Sequence, residues 1–236
     1  MVFALKASLR RAQRRFEEAG QLLERAAVSA TSRKFAAQVM VGRAKLFEER
    51  GMLEEAVALL EGVDETSGEE DGRLFLCVKH NLADNLSKLG RYREAEALLP
   101  EARALSSRAG GELDRVRLMW TEGRVAAGLG AVGEGIAALA RVRGEFASRG
   151  MAYDTALVSL ELAACYAEQG RTAEIKSLAR HMVPIFQSQE IHREALAALA
   201  LFRRAAEKEE ATAGFLRQLV AYLRKARHDP GLRFQG

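Results

Sequence analysis

Lys88-Leu89-Gly90-Arg91-Tyr92-Arg93-Glu94-Ala95-Glu96-Ala97-Leu98-Leu99 is the stretch that decides the fold, because the chain writes it again and again. The same frame returns as ERGMLEEAVALL at 49–60, GLGAVGEGIAAL at 128–139 and EQGRTAEIKSLA at 168–179. Its glycines, Gly51, Gly90, Gly130 and Gly170, stand 39, 40 and 40 residues apart. Seven residues before each lies Ala44, Ala83, Gly123 or Ala163, and five after each lies Ala56, Ala95, Gly135 or Ile175. An earlier copy, RRFEEAGQLL at 14–23, has Ala7 and Ala19 in those places and Arg14 where glycine would stand. A period of 20–50 residues announces a repeat architecture. Glycine accepts the left-handed backbone that ends a helix, and a small residue on either side lets two antiparallel helices cross closely.

Composition agrees. Ala and Leu fill 73 of the 236 positions and Val and Ile only 18, which favours helix over strand. Three prolines and 48% hydrophobic residues exclude a disordered chain. Two cysteines exclude a disulfide framework, no apolar run reaches the roughly 18 residues a membrane span requires, and the N-terminus lacks a secretory leader. A cytoplasmic location is expected. The spacing predicts helices over 1–13, 16–29, 33–49, 52–62, 70–89, 92–108, 112–129, 132–148, 151–169, 172–188, 191–209 and 212–227. Asp64–Glu69 reads as a loop, Pro184 as a kink or stop, and His228-Asp229-Pro230-Gly231 as a terminator beyond which the last residues fray.

The small–glycine–small pattern at Ala44/Gly51/Ala56, Ala83/Gly90/Ala95, Gly123/Gly130/Gly135 and Ala163/Gly170/Ile175 resembles the tetratricopeptide repeat family. The unit is longer than that family's usual one, its late proline is missing, and its tryptophan is replaced by Phe3, Met40, Lys79, Met119 and Ser159. The longer period is similar to the extended repeats of bacterial signal-transduction and transcriptional regulators. The resemblance implies an all-α solenoid of antiparallel helix pairs, about 12 helices in a right-handed superhelix. It would form a single domain over 1–236, with units at 1–32, 33–69, 70–111, 112–150, 151–190 and a capping pair at 191–228. Residue 1 coincides with the start of a unit whose helix is amphipathic rather than capped, so the chain is expected to be the C-terminal part of a longer protein.

The resemblance further implies that first helices line a concave groove. Its positions here are Gln38, Val41, Lys45 and Glu48; Cys77, His80, Asp84 and Ser87; Arg117, Trp120, Arg124 and Ala127; Leu157, Leu160, Ala164 and Ala167. The candidate binding set is Gln38, Val41, Lys45, His80, Asn81, Asp84, Arg117, Trp120, Arg124 and Leu160. Arg117, Trp120 and Arg124 combine a large amphipathic ring with forked donors, the residue types enriched at binding hot spots. Trp120 could equally fill a gap between helices as a core aromatic. Members of the family that bind chaperone tails clamp a carboxylate with Lys, Asn and Arg; Asn81 and Arg117 match part of that clamp and the rest is missing.

Catalytic motifs are scarce. Gly128-Leu129-Gly130-Ala131-Val132-Gly133 imitates a phosphate-binding loop, but no strand precedes it and no Lys-Ser/Thr follows. Cys77, His80 and Asp84 share one helix face and could be a nucleophile with its base, or metal ligands. One helix cannot easily place Cys and Asp on opposite nitrogens of an imidazole, so ordinary groove polarity is the favoured reading, and no enzyme activity, cofactor or metal is expected. His181, His192 and His228 look isolated. The expected function is therefore a protein- or peptide-binding scaffold, the interaction or sensor part of a bacterial regulator, with homo-oligomers open. A nucleic-acid-associated regulator is the alternative, through Arg10, Arg11, Arg14, Arg15, Arg224, Lys225 and Arg227 on the terminal helices, although the arginines of the chain mostly fall on helix surfaces beside glutamates, as in Arg91-Tyr92-Arg93-Glu94. A Cys77/His80 enzyme comes last.

Overall fold

The structure is a computed structural model that describes residues 2–63, 71–182, 185, 191–229 and 231–235. Among these residues twelve α-helices occur and no strand. They are α1 (Val2–Ala12), α2 (Phe16–Val28), α3 (Arg33–Glu49), α4 (Leu53–Glu61), α5 (Gly72–Lys88) and α6 (Tyr92–Ala109). There follow α7 (Glu112–Gly128), α8 (Val132–Ser148), α9 (Ala152–Glu168), α10 (Thr172–His181), α11 (Arg193–Glu207) and α12 (Ala213–Ala226). The expected polar loop at 64–69, the proline at 184 and the proline at 230 lie outside the described residues. Two compact units divide the chain, Met1–Thr121 and Glu122–Gly236, and the division falls inside α7.

Glycine ends the first helix of each pair as the period requires. Gly51, Gly90, Gly130 and Gly170 take φ of +79°, +79°, +93° and +69°. The N–H of the following residue then reaches back five positions: Met52 to Phe47, Arg91 to Leu86, Ala131 to Ala126 and Arg171 to Tyr166, each at 2.9 Å. This is the left-handed cap that satisfies the last carbonyls of a helix. Arg14 and Glu209 hold the same conformation, at φ +61° and +63°, with the same bonds from Arg15 to Arg10 and Glu210 to Ala205. The turn is thus kept where its glycine is absent.

In the first unit α1 packs on α2, α3 on α4 and α5 on α6, and each pair stacks on the next through α2–α3 and α4–α5. Ala44, Ala56, Ala83 and Ala95 are buried at the crossings. In the second unit the crossing of α7 and α8 is tighter. A Cβ on Gly135 would lie 2.8 Å from the Gly123 carbonyl oxygen, so only glycine fits there.

The C-terminal pair of the second unit departs from expectation. Its last helix, α12, runs antiparallel along α9 and buries Leu216, Leu219, Val220 and Leu223. Arg227 pairs with Asp154, Arg224 with Glu161 and Arg217 with Glu168. Tyr153 donates its hydroxyl to the Leu223 carbonyl at 2.9 Å. As a result α9 is buried continuously from Tyr153 to Cys165. The expected fraying of the chain end is also corrected. Tyr222 donates to the Leu232 carbonyl at 2.9 Å, and Phe234 stacks edge-on against Tyr222 and Phe215.

Candidate functional site

The candidate site in the first unit is built by the first helices of successive pairs. Ser32 caps α3 by accepting from the Phe35 N–H at 3.2 Å. Asp71 caps α5 by accepting from the N–H groups of Arg73 and Leu74, both at 3.1 Å. Asp114 fastens the start of α7 by accepting from the Gly111 N–H at 2.7 Å and pairing with Arg73 of α5. These caps stabilise helix starts by about 1 kcal/mol each and fix the relative phase of three helices.

Across them runs a charged network. Glu48 of α3 accepts from Lys45 at 2.8 Å and from Lys88 of α5 at 2.7 Å. Lys88 also pairs with Asp84 at 2.6 Å, and Thr121 of α7 donates to Asp84 at 3.3 Å, with its hydroxyl 3.4 Å from His80 Nε2. Burial alone would raise the Glu48 pKa, yet Lys88 and Lys45 hold its carboxyl down at about 2. Burial lowers the pKa of His80 and keeps the ring neutral at pH 7. The network ties its own charges together and leaves little for chemistry. Cys77, which the sequence offered as a nucleophile, has its thiol pushed up by burial, the opposite of activation. Cys165 is pushed up to about 11 for the same reason. Among the described residues no group of three or more His, Cys, Asp or Glu side chains is placed to hold a metal ion.

The sequence-derived candidates divide. Gln38 and Arg117 are exposed, and Val41, Lys45, His80, Asn81, Asp84 and Trp120 are half-buried, all in the first unit. Arg124 and Leu160 belong to the second unit. Arg124 is only 10% exposed and pairs with Glu161 at 3.3 Å. Leu160 is fully buried, and so its expected place on an open groove is corrected. The physical reason is α12, whose apolar stripe and arginines cover α9. Sequence reasoning left Lys88 and Thr121 out. Lys88 was findable, since it stands two residues before its glycine and Glu48 three before the previous one, which one repeat step brings together.

Most of the basic side chains at the termini are paired as well. Arg10 and Arg15 bind Glu18, Arg11 binds Glu49, and Arg224 and Arg227 bind Glu161 and Asp154. His192, expected to be isolated, caps α11 by accepting from the Ala195 N–H at 3.3 Å and donates from Nε2 to the Ala226 carbonyl at 2.6 Å. Among the described residues no helix is long and apolar enough to cross a membrane.

The sequence matches no protein-family model and no curated protein. Among solved structures, the chain is similar to a Rap protein complexed with Competence and Sporulation Factor, with a TM-score of 0.73 and 13% identity over 94% of this chain. The match takes in 65% of the Rap chain, so this chain spans just under two thirds of that relative's length. It is also similar to a Podosopora anserina structure described as kinesin light chain nearly identical TPR-like repeats. There the TM-score is 0.58 and identity 21%, over 85% of this chain and 99% of the other. At such identities the likeness speaks for architecture. The positive-φ glycine turns, the small-residue crossings and these two neighbours agree: the chain has the fold of a tetratricopeptide-like all-α helical solenoid.

Proposed function

We propose that the chain is a protein- or peptide-binding scaffold, and that the first-helix face of the first unit receives the partner. The observation that carries this reading is the contrast within that face. Glu48, Lys88, Asp84 and Thr121 lock α3, α5 and α7 together, while Gln38, Val41, Asn81, Arg117 and Trp120 stand along the same helices at least partly accessible. A rigid floor carrying an amphipathic ring, a forked cation and an amide is suited to reading an extended or helical segment. The likeness to a Rap structure that holds Competence and Sporulation Factor supports the same reading, and the proposal extends to a place in a cytoplasmic bacterial regulatory protein.

Trp120 is the one tryptophan in the chain, so its emission reports this face directly. A partner segment titrated into the protein is expected to shift that emission. The pair Trp120→Ala and Arg117→Glu is expected to weaken binding at least tenfold while the Tm stays within a few degrees. A double variant that unfolds would place Trp120 in the core and remove the reading. Arg124 is unsuited to this test because it is engaged with Glu161. The nucleic-acid alternative requires a basic surface, and its arginines on α1 and α12 are held by carboxylates. Binding to a duplex that falls steeply between 50 and 200 mM salt, on the order of a thousandfold, would revive it.

A further inference from the structure

Helix α12 leaves its own pair to complete another. By sequence it is the second helix beside α11, yet it packs on α9 far more extensively than on α11. Three ion pairs hold it there, Arg227 to Asp154 at 2.7 Å, Arg224 to Glu161 and Arg217 to Glu168. Two side chains outside α12 grip its last turn. Tyr153 donates to the Leu223 carbonyl, and His192 donates to the Ala226 carbonyl. The segment after α12 folds back on α12 itself, with the Leu232 carbonyl on Tyr222 and Phe234 against Tyr222 and Phe215. Helix and segment thus move as one module.

The link that carries this module, residues 208–212, is strained where it turns. Glu209 has φ +63°, a conformation that crowds the Cβ of any residue but glycine. Gly51, Gly90, Gly130 and Gly170 supply that freedom at other pair turns. Arg14 lacks it too, but there α1 and α2 pack along each other and hold the turn shut. The helices on either side of Glu209 pack only lightly on each other. An exposed ion pair from Glu209 to Lys176 is a weak restraint.

Straightening the link swings α12 off its own α9 and bares that face, so a single open copy is unstable. Two open copies that trade α12 rebuild the same ion pairs and hydrogen bonds, now between chains. The balance between closed monomer and exchanged dimer is then set by the strain released at Glu209 against the freedom lost on association. We propose that the α9 face of the second unit receives α12 from a second copy of this chain, giving a dimer in which each copy completes the other. The exchange involves the second unit alone and does not depend on the Trp120 face.

The test is sedimentation of the whole chain over a range of concentrations, after long incubation because exchange requires α12 to open. A concentration-dependent dimer is expected. Glu209→Pro holds φ at about −65° and cannot form the closed turn, so it should strengthen the dimer at least tenfold. Glu209→Gly relaxes the turn and should weaken the dimer at least tenfold, since each dimer releases the strain twice. Charge reversals identify the surface. Neither Arg217→Glu/Arg227→Glu nor Asp154→Arg/Glu168→Arg matches α12 to α9 within one kind of chain. Mixed in equal amounts, each supplies the α12 that the other's α9 accepts, and a one-to-one heterodimer should form. The two hinge variants alter neither α9 nor α12, so they decide the question if a reversal fails to fold. A Glu209→Pro chain that stays monomeric, a dimer equally strong in both hinge variants, or folded reversals that do not pair on mixing overturns the proposal.

Discussion

Asn85 is the residue whose surroundings contradict its chemistry. It is 1% exposed, and both its amide nitrogen and its carbonyl oxygen are buried without a hydrogen-bond partner. The equivalent positions of the other units carry Leu46, Val125 and Cys165, all apolar or nearly so, and Leu9 on α1. A buried amide left unpaired costs about 1–3 kcal/mol, and leucine has a similar volume. Asn85→Leu is therefore expected to stabilise the protein by about 1 kcal/mol, read as a higher urea midpoint with an unchanged m-value. A lower midpoint would mean that the amide has a partner that the leucine removes. Neither outcome depends on the partner-binding face. The repeat register made this residue legible, since its four counterparts announce an apolar site and Asn85 alone breaks the rule.

At the scale of elements, helix starts, stops and crossings were readable from the period, and long-range docking was not. The turns at Gly51, Gly90, Gly130 and Gly170 follow from local backbone freedom, which a sequence displays. The antiparallel seating of α12 on α9 joins residues 63 and 73 positions apart through Arg224–Glu161 and Arg227–Asp154. No spacing rule announces that pairing. The amphipathic stripe of α12 showed that it would bury a face, without showing against which helix. That gap cost the site reading Leu160 and Arg124. The α7–α8 crossing allows a sharper check. Gly135→Ala would bring a Cβ to 2.8 Å from a backbone oxygen and 2.9 Å from the Ala127 nitrogen, neither of which can rotate away. A loss of about 2–3 kcal/mol is expected. Gly133→Ala, on the same helix with nothing within 4 Å, should instead gain up to about 1 kcal/mol from helix propensity. Equal effects on the thermal midpoint would show that the crossing is not tight.

For the whole molecule, stability should depend on pH in a direction fixed by the site network. Glu48 is held at about 2 by Lys88 and Lys45 against the opposing effect of burial, and at Asp114 burial pushes the carboxyl up while the hydrogen bonds from Arg73 and Gly111 outweigh it and leave it lowered. Asp71 is lowered by the backbone N–H of Leu74, and His80 by burial. All four lie in the first unit. Each binds its proton less readily folded than unfolded, so each contributes stability above its unfolded pKa that is lost as pH falls. For His80 the loss sets in below about 6.5, and for Glu48 between about 4.5 and 2. For Glu48 the linkage is on the order of 3 kcal/mol. Urea melts followed by Trp120 emission, which reports the first unit, are expected to show a midpoint that drops from pH 7 to pH 3. Glu48→Gln should have a lower midpoint than the parent at pH 7, and the two curves should converge towards pH 2, where the parent carboxyl also loses its charge. His80→Gln should flatten the slope between pH 7 and pH 5.5 and leave the acid limb in place. A Glu48→Gln deficit that stays constant from pH 7 to pH 2 would mean that glutamine disturbs packing, and that the Lys45–Glu48–Lys88 bridge does not hold the floor of the binding face.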